Sequence, residues 1–248
     1  MPWIRSGINR LTPRVIWQPR PEIPRTLDLL RPGAVVVDIG AGGRRVAPTV
    51  VALDFVPFVG TNVIADVHRL PFRDGSVDAV FCTGTLEHVE DPIKVVKGIH
   101  CILRVGGIVH LEVPFLQPFH ADPVDYWRWT LDGLRLFAAR YGFEEIRSGT
   151  HLGRQSAMNE LVIGYIQSWF RNRYVRKGLD VLLSCLLFPL RYLDALEVGC
   201  PHPFASGVFF VGRKCPLRSH PKRRAAMLAK AASAYGTSPV SRTVSGRA

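Results

Sequence analysis

The sequence lacks a hydrophobic run long enough to cross a bilayer. Its longest apolar stretch, residues 181–190, contains a serine and a proline and is about half of the roughly 20 residues that a spanning helix needs. The apolar residues at the N-terminus are interrupted by Arg5, Arg10 and Arg14, which excludes the continuous apolar core of a secretory leader. The sequence therefore predicts neither a transmembrane segment nor a leader peptide.

Cysteine is also scarce. The five cysteines are odd in number and no two are spaced as C-x-x-C, which argues against a disulfide framework and against a zinc site. The short run from Cys200 to His202 does not define a metal site on its own. We therefore predict reduced thiols, a cytoplasmic protein and no metal site.

Acidic residues are missing from one end of the chain and few at the other. Residues 198–248 contribute +9 and residues 1–32 contribute +4 to the net charge of +12, so the middle of the chain is close to neutral. Basic ends attract RNA phosphates or anionic lipid, and they also serve as solvated tails. We predict a basic N-terminal segment at 1–32, a folded domain at 33–214 and a disordered basic tail at 215–248.

The folded part alternates between hydrophobic runs of strand length and segments with helical periodicity, as a doubly wound α/β sheet requires. One helix is predicted at 91–103, ahead of the turn at Gly106 and Gly107, and another at 131–141 after Thr130. The predicted strands lie at 34–40, 50–55, 62–66, 77–83, 108–115, 143–149 and 206–214.

The first predicted strand runs into a glycine-rich turn, where bare backbone N–H groups can approach a nucleotide-like ligand. A dinucleotide site needs a third glycine where this chain has Arg45, so NAD is disfavoured. Instead the strand ends as Asp38-Ile39-Gly40-Ala41-Gly42, which resembles motif I of the class I S-adenosylmethionine (SAM)-dependent methyltransferases. Residues 66–92 resemble the small-molecule, methyltransferase type 11-like branch. The resemblance implies a Rossmann-like, seven-stranded mixed sheet.

The resemblance also assigns the parts of SAM to acidic residues at the ends of successive strands. Asp38 would lie near the ammonium group, Asp54 would accept the two ribose hydroxyls, and Asp66 would accept the adenine amino group. Gly40 and Gly42 would let the backbone approach the cofactor, because a side chain there would collide with it. The full implied cofactor set is Asp38, Gly40, Gly42, Asp54, Asp66, Val67 and Thr83.

Two features depart from the pattern of that superfamily. Only nine residues, 41–49, separate the first two strands, so the first crossover helix is predicted to be short or missing. An insertion at 150–205, between strands six and seven, is predicted to form two or three amphipathic helices. By resemblance the insertion selects the substrate. The alternatives are extra core packing, a dimer surface, or a peripheral contact with the inner face of the membrane through Trp169 and Phe170.

A dense set of functional groups follows the fifth predicted strand, in residues 114–130. The pattern H-x-x-P-x-D-Y-x-R-x-T there resembles a loop of bacterial methyltransferases associated with sugars or glycolipids. His120 would remove the acceptor proton while a neighbouring aspartate orients its ring. The alternative is a loop that only holds itself together, with Asp125 paired to Arg128. The candidate catalytic residues are His120, Asp122 and Tyr126, and the candidate substrate residues are His88, Asp125 and Arg128.

Residues 83–90, after the fourth predicted strand, contain a Glu87-His88 pair that resembles the recurrent E-H pair of this branch. The alternative is that His88 holds a loop by hydrogen bonds. No [N/D]-P-P-aromatic motif follows this strand, which disfavours amino methylation of adenine or glutamine. The sequence also has no Pro-Cys dipeptide, which disfavours methylation of a pyrimidine at C5.

These patterns predict an enzyme, a SAM-dependent methyltransferase that acts on an oxygen atom of a small, glycan-like or glycolipid-like acceptor. An RNA substrate is the first alternative, because the pI is about 10.0, but the basic residues lie in the terminal segments and no RNA-binding module is evident. The second alternative is a non-catalytic protein that keeps the fold as a scaffold for a partner.

Overall fold

A computed structural model describes residues 21–187, 189–190, 193 and 204–215 of this chain. The predicted tail at 215–248, apart from its first residue, lies outside the described residues, as do residues 1–20 and the run Cys200–His202. The strands are β1 (Val36–Ile39), β2 (Val51–Asp54), β3 (Val63–Ile64), β4 (Val77–Thr83), β5 (Leu103–Pro114), β6 (Phe143–Leu152) and β7 (Gly207–Lys214). The helices are α1 (Glu22–Leu27), α2 (Pro92–Ile102), α3 (Leu131–Arg140), α4 (Arg154–Ser168) and α5 (Arg173–Leu187), and a 3₁₀ turn covers Leu86–His88.

The seven strands form one mixed sheet in the order β3-β2-β1-β4-β5-β7-β6. β1 to β5 pair in parallel, and β7 lies antiparallel between β5 and β6. The predicted sheet is therefore confirmed. Its fifth strand begins at Leu103 instead of residue 108, because Leu103 already pairs with Val77 of β4. Pairing resumes at Ile108 opposite Ala79, so the predicted glycine turn is an irregularity within the strand.

The central strands are buried on both faces, which explains their continuous apolar sequences. Every residue of β1 is buried, and so is every residue of β4 except the last. One core lies between the sheet and helices α2 and α3. A second core lies on the opposite face, where Ile23 of α1 packs with Phe81 and Phe209.

Helix α1 extends the folded body beyond the predicted boundary at residue 33. Thr26 is fully buried, and its hydroxyl donates to the Glu22 carbonyl and bonds to Nδ1 of His110 on β5 at 2.9 Å. This six-residue helix was not predicted, because residues 22–27 carry no strong helical signal. Its position depends on contacts with a strand more than 80 residues away, which local periodicity does not report.

Helices α2 and α3 begin where their capping residues place them. Asp91 accepts from the Lys94 N–H at 2.9 Å, and Thr130 accepts from the Gly133 N–H at 3.0 Å. Each cap satisfies a backbone donor that the first helical turn leaves unpaired. Both predicted helices are confirmed: α2 is one residue shorter at each end than predicted, and α3 is one residue shorter at its C-terminal end.

The first crossover contains no helix, as the sequence predicts; the structure describes all of residues 41–49. One hydrogen bond joins this segment to β1: Oδ2 of Asp38 accepts from the Val46 N–H at 3.1 Å. Arg45 fastens its outer side by donating to the carbonyls of Pro48 and Gly60. The turn therefore has a fixed shape without a helix behind it.

The insertion forms α4 and α5, which pack against each other. It leaves the sheet after Leu152 and returns at Gly207, and these two residues are register partners. Gly207 is also the partner of Pro114, the last residue of β5. The insertion and the loop after β5 therefore rise from the same edge of the sheet. None of the described helices is both long enough and apolar enough to cross a membrane.

Candidate active site

The carboxyl ends of β1 to β4 meet at one edge of the sheet, where ligands of open α/β folds bind. Gly40 follows β1 with φ +68°, and a Cβ there would lie 2.3 Å from Oγ1 of Thr85. The Thr85 hydroxyl donates to the Ile39 carbonyl at 3.2 Å. The Thr85 side chain therefore requires glycine at position 40, independently of any cofactor. Thr85 was not predicted from the sequence as a site residue.

Gly42 differs from Gly40, because the space above it is open. It has φ +57°, and the nearest atom to an added Cβ is the Gly40 carbonyl oxygen at 4.0 Å. Its N–H donates to Oδ2 of Asp54 at 2.9 Å. A ligand can approach the backbone at Gly42 without displacing protein atoms.

Asp54, the last residue of β2, is buried and already holds two loops. Its Oδ2 accepts from Gly42 and its Oδ1 accepts from the Val56 N–H at 3.0 Å. Each oxygen of an ionised carboxylate has room for a second donor. Asp54 therefore binds the backbone of two loops, and the ribose hydroxyls would bind its remaining lone pairs.

Asp66 lies two residues after β3 with 58% of its side chain exposed. The His68 N–H and the His68 ring both bond to Oδ1, at 2.8 and 2.7 Å, and these bonds lower the pKa of the carboxyl. Val67 beside it is buried, and Thr83 closes β4 in register with Glu112.

The predicted cofactor residues thus share one edge and suit SAM. The ammonium, ribose hydroxyl and adenine amino groups are all donors, and three carboxylates stand along this edge, at Asp38, Asp54 and Asp66. Together with the open space at Gly42, this donor and acceptor match makes the edge a fit for the cofactor.

Beyond the end of β4, Glu87, His88 and His120 come together. Oε1 of Glu87 lies 3.8 Å from Nε2 of His88 and 4.0 Å from Nε2 of His120. The two imidazole rings meet edge to face with their centroids 5.2 Å apart. Glu87 is buried, and this burial raises the pKa of its carboxyl. Both histidines, but not Glu87, were predicted from the sequence as site residues.

Nδ1 of each histidine lies within hydrogen-bond distance of a backbone carbonyl, which can only accept, and Nη2 of Arg128 also lies 3.4 Å from Nδ1 of His120. Nδ1 of His88 donates to the Val124 carbonyl, and Nδ1 of His120 donates to the Pro118 carbonyl at 3.1 Å. Each Nε2 is then left with a lone pair on the side of Glu87.

Asp125 and Arg128 hold the loop after β5, and their assignment as substrate residues stays a prediction. Asp125 forms two bonds to Arg128 and accepts the His120 N–H at 2.8 Å, and the Arg128 bond lowers the pKa of this carboxyl to about 2. Arg128 also donates to the carbonyls of Gln117, Pro118 and Trp127. All five of its N–H donors are therefore used within the loop. These bonds agree with the alternative prediction, a loop held together by its own bonds with Asp125 paired to Arg128.

Asp122 and Tyr126 stand apart from the cluster. Asp122 is exposed, and the structure, over the residues it describes, shows Asp125 and not Asp122 beside the His120 ring, with Oδ2 3.6 Å from Nδ1. The Tyr126 hydroxyl donates to Glu90 at 3.3 Å, and its backbone N–H donates to the Glu87 carbonyl at 2.7 Å. The geometry gives neither residue a role in proton transfer, although both remain predictions of the sequence.

A cavity of about 570 Å³ lies between the loop after β5 and the insertion. Glu160 is the buried group on its α4 side, and it accepts from Ser206 at 2.8 Å. The cavity is polar and aromatic, and its lining includes Gln117, Phe119, His120, Glu160, Tyr165, Gln167 and Arg176. His120 therefore belongs both to the cavity and to the cluster beside β4.

Comparison with known proteins fits this geometry. Residues 33–111 match a family model described as a methyltransferase domain. The chain is similar to the ubiquinone biosynthesis O-methyltransferase of Xanthomonas campestris pv. campestris (strain B100), with 28% identity over 142 residues, 48% of this chain and 55% of that protein. It is also similar to the tRNA U34 carboxymethyltransferase of Campylobacter curvus, with 28% identity over 102 residues, 36% of this chain and 34% of that protein. The chain thus spans about half of the first relative and about a third of the second.

Solved structures share the fold. A possible histamine N-methyltransferase from Thermotoga maritima superposes with a TM-score of 0.55 at 15% identity, covering 86% of this chain and 96% of that one. The [4+2]-cyclase SpnF superposes with a TM-score of 0.53 at 14% identity, covering 79% of this chain and 80% of that one. At these identities the likeness is one of fold.

The domain match at residues 33–111 and these similar proteins indicate a SAM-dependent methyltransferase domain, and the solved structures show that the chain shares the methyltransferase fold. The domain match lies in the type 11 branch that residues 66–92 resemble. The names of the relatives describe different reactions, so the acceptor has to be inferred from the site itself. Neither they nor the described residues support the membrane contact considered for Trp169 and Phe170.

Proposed function

We propose that this protein transfers the methyl group of SAM to a hydroxyl oxygen of a small, polyol-like or glycan-like acceptor bound in the cavity between the loop after β5 and the insertion. The observation that carries the proposal is the position of His120, which lines this cavity and also lies 4.0 Å from Glu87 beside the end of β4. Thr85, two residues before Glu87, contacts Gly40 of the cofactor turn.

The lining of the cavity suits such an acceptor. Gln117, Glu160, Gln167 and Arg176 offer hydrogen-bond donors and acceptors for several hydroxyl groups, and Tyr165 offers an aromatic face. A cavity of this size holds a small molecule or one or two sugar rings rather than a folded nucleic acid. The basic segments that suggested RNA lie largely outside the described residues.

SAM supplies a methyl group on a sulfonium sulfur, and its transfer to a hydroxyl oxygen leaves S-adenosylhomocysteine and one proton. The residues of this chain must hold the hydroxyl in line and receive that proton. The Nε2 atoms of His88 and His120 are suitable acceptors, and the His120 side chain also lines the cavity. The loop bonds of Asp125 and Arg128 keep this imidazole in place.

The test begins with a screen of sugars, glycolipids and phenols for SAM-dependent product. On the acceptor so found, His120→Ala should lower turnover by about 100-fold to 10,000-fold while SAM affinity and folding persist, because general bases contribute in this range. Phe119→Ala is the matched control, since Phe119 lines the same cavity but has no titratable group. Equal turnover in wild type and His120→Ala would remove His120 from the reaction, and loss of SAM affinity would mean that it only supports the fold.

A further inference from the structure

We propose that Glu87, His88 and His120 bind a divalent first-row transition metal ion, which the sequence did not predict. Each residue offers one ligand atom, and the three atoms lie within 4.8 Å of one another. Ligands bonded to one such ion at about 2.1 Å are separated by roughly 3 to 3.5 Å. The distances of 3.8 and 4.0 Å from Glu87 to the two imidazoles therefore close with small side-chain rotations.

Both imidazoles are already oriented as metal ligands usually are. A ligating histidine commonly donates its other ring N–H to a carbonyl or carboxylate, which fixes the tautomer and the ring direction. Here Nδ1 of His88 donates to Val124 and Nδ1 of His120 donates to Pro118, so both Nε2 lone pairs are directed to the same side. The backbone of the loop after β5 thus acts on both ligands.

Glu87 supplies an independent indication. It is 2% exposed, and its Oε2 is buried without a hydrogen-bond partner among the residues that the structure describes. Oε1 is the oxygen that faces the two imidazoles. A buried carboxylate with an oxygen left unpaired is costly, and a cation bound by this carboxylate would offset that cost. The ion has a path to the cluster, because the His120 side chain is 39% exposed and lines the cavity.

The ligand set selects the kind of metal. Two imidazole nitrogens and one carboxylate suit Mn²⁺, Fe²⁺, Co²⁺ or Zn²⁺, whereas Mg²⁺ and Ca²⁺ prefer all-oxygen sites. Three protein ligands also leave coordination positions for the hydroxyl of an acceptor. This inference rests on the proposed function but changes the role of His120. The ion would bind the acceptor hydroxyl and lower its pKa, the proton would pass to solvent, and His120 would act as a metal ligand instead of as the proton acceptor.

Cobalt is the probe for this site, because its visible absorption reports the ligands. The full-length, untagged protein is treated with chelator and titrated with Co²⁺. One site per chain with a nitrogen and oxygen ligand spectrum is expected, displaced by Zn²⁺. Glu87→Gln, His88→Ala and His120→Ala should each weaken Co²⁺ binding by at least about 10-fold, since even indirect partners of metal ligands contribute that much. Glu90→Gln, an exposed neighbour outside the cluster, should leave binding unchanged.

Circular dichroism and SAM affinity show which variants are folded, and His120→Ala, the most exposed of the three, provides the decisive comparison if the buried variants unfold. Three results would overturn the proposal: no Co²⁺ binding by wild type, binding unchanged in folded His120→Ala, or a thiolate-to-cobalt band that assigns the ion to cysteine. None of these readings requires an acceptor. Co²⁺ bound at the cluster without methyl transfer would leave the metal site intact and count against the proposed function alone.

Discussion

At the scale of single residues, the three carboxylates of the cofactor edge, Asp38, Asp54 and Asp66, differ in their surroundings. Asp38 and Asp54 are buried and hold the glycine turn through Val46 and Gly42, whereas Asp66 is largely exposed. Replacing either buried residue would change the shape of the turn as well as any direct bond to SAM. Asp66 bonds only to nearby His68 in the contacts seen here, so it is the carboxylate on which a cofactor contact can be tested cleanly.

Asp66→Ala should weaken SAM binding by about 1 to 3 kcal/mol, because it removes an acceptor that the adenine amino group would use. The unfolding temperature should change little, since the side chain is exposed. Titration calorimetry with SAM and S-adenosylhomocysteine measures the effect. Asp74→Ala is the control, because Asp74 is exposed and precedes β4 at the opposite edge of the sheet. Equal SAM affinity in both variants would remove Asp66 from the cofactor site.

Residue types at fixed spacing revealed the cofactor edge but not the roles of the loop after β5. Asp38, Gly40 and Gly42 follow from a turn that backbone rules constrain. Asp125 and Arg128 are three positions apart, and this spacing suits a pair that bonds to itself as well as one that holds a ligand. The position of Glu87 beside His120 could not be predicted from the sequence, because it depends on two loops that follow different strands.

At the scale of elements, the sequence predicted the bounds of strands and helices correctly where residues at the ends of the element mark them. β4 agrees with its predicted bounds, and α2 and α3 begin after the caps Asp91 and Thr130. Local signals failed for α1, whose burial depends on β5, and for the start of β5, where Leu103 pairs with β4 before the glycine turn. Pairing across the sheet is a long-range effect that composition does not encode.

Asp91→Ala should lower the free energy of unfolding by about 1 kcal/mol, because the Lys94 N–H loses its cap. Asp91→Ser should restore most of the loss, since a serine hydroxyl caps a helix in the same way. Asp132→Ala, in the first turn of α3 but not its cap, is the control. Denaturant unfolding followed by circular dichroism measures all three. A serine variant as unstable as the alanine variant would show that the cap is not the cause.

At the scale of the whole molecule, Asp78 ties the N-terminal part of the chain to the sheet. It is buried and accepts from the Val35 N–H at 2.8 Å, and it also accepts from Arg104 and, at 3.4 Å, from Arg31. Burial alone would raise the pKa of Asp78, but the Val35 and Arg104 bonds outweigh it, so the pKa lies below its ordinary value of 3.8. The stability from these bonds is therefore complete above the unfolded-state pKa and is lost as the pH falls through the lower folded value.

Asp78→Asn should destabilise the protein at about pH 7, and the difference from wild type should shrink below about pH 4, where the wild-type carboxylate takes up its proton. Urea unfolding at several pH values between these limits measures the change. Asp28→Asn, at an exposed aspartate after α1, should run parallel to wild type throughout. A wild-type advantage over Asp78→Asn that stays constant down to about pH 3 would show that the carboxylate charge does not contribute.

The return of the insertion to the sheet has a consequence for how this chain can change over evolution. α4 and α5 leave after Leu152 and come back at Gly207, its direct partner, so the segment begins and ends at one place. A detour of this kind can lengthen, shorten or be exchanged without moving any strand. Under the proposed function, such a change would alter part of the acceptor cavity without altering the cofactor residues. A chimaera that carries a relative's segment between these two residues should keep its affinity for SAM while acquiring the relative's acceptor.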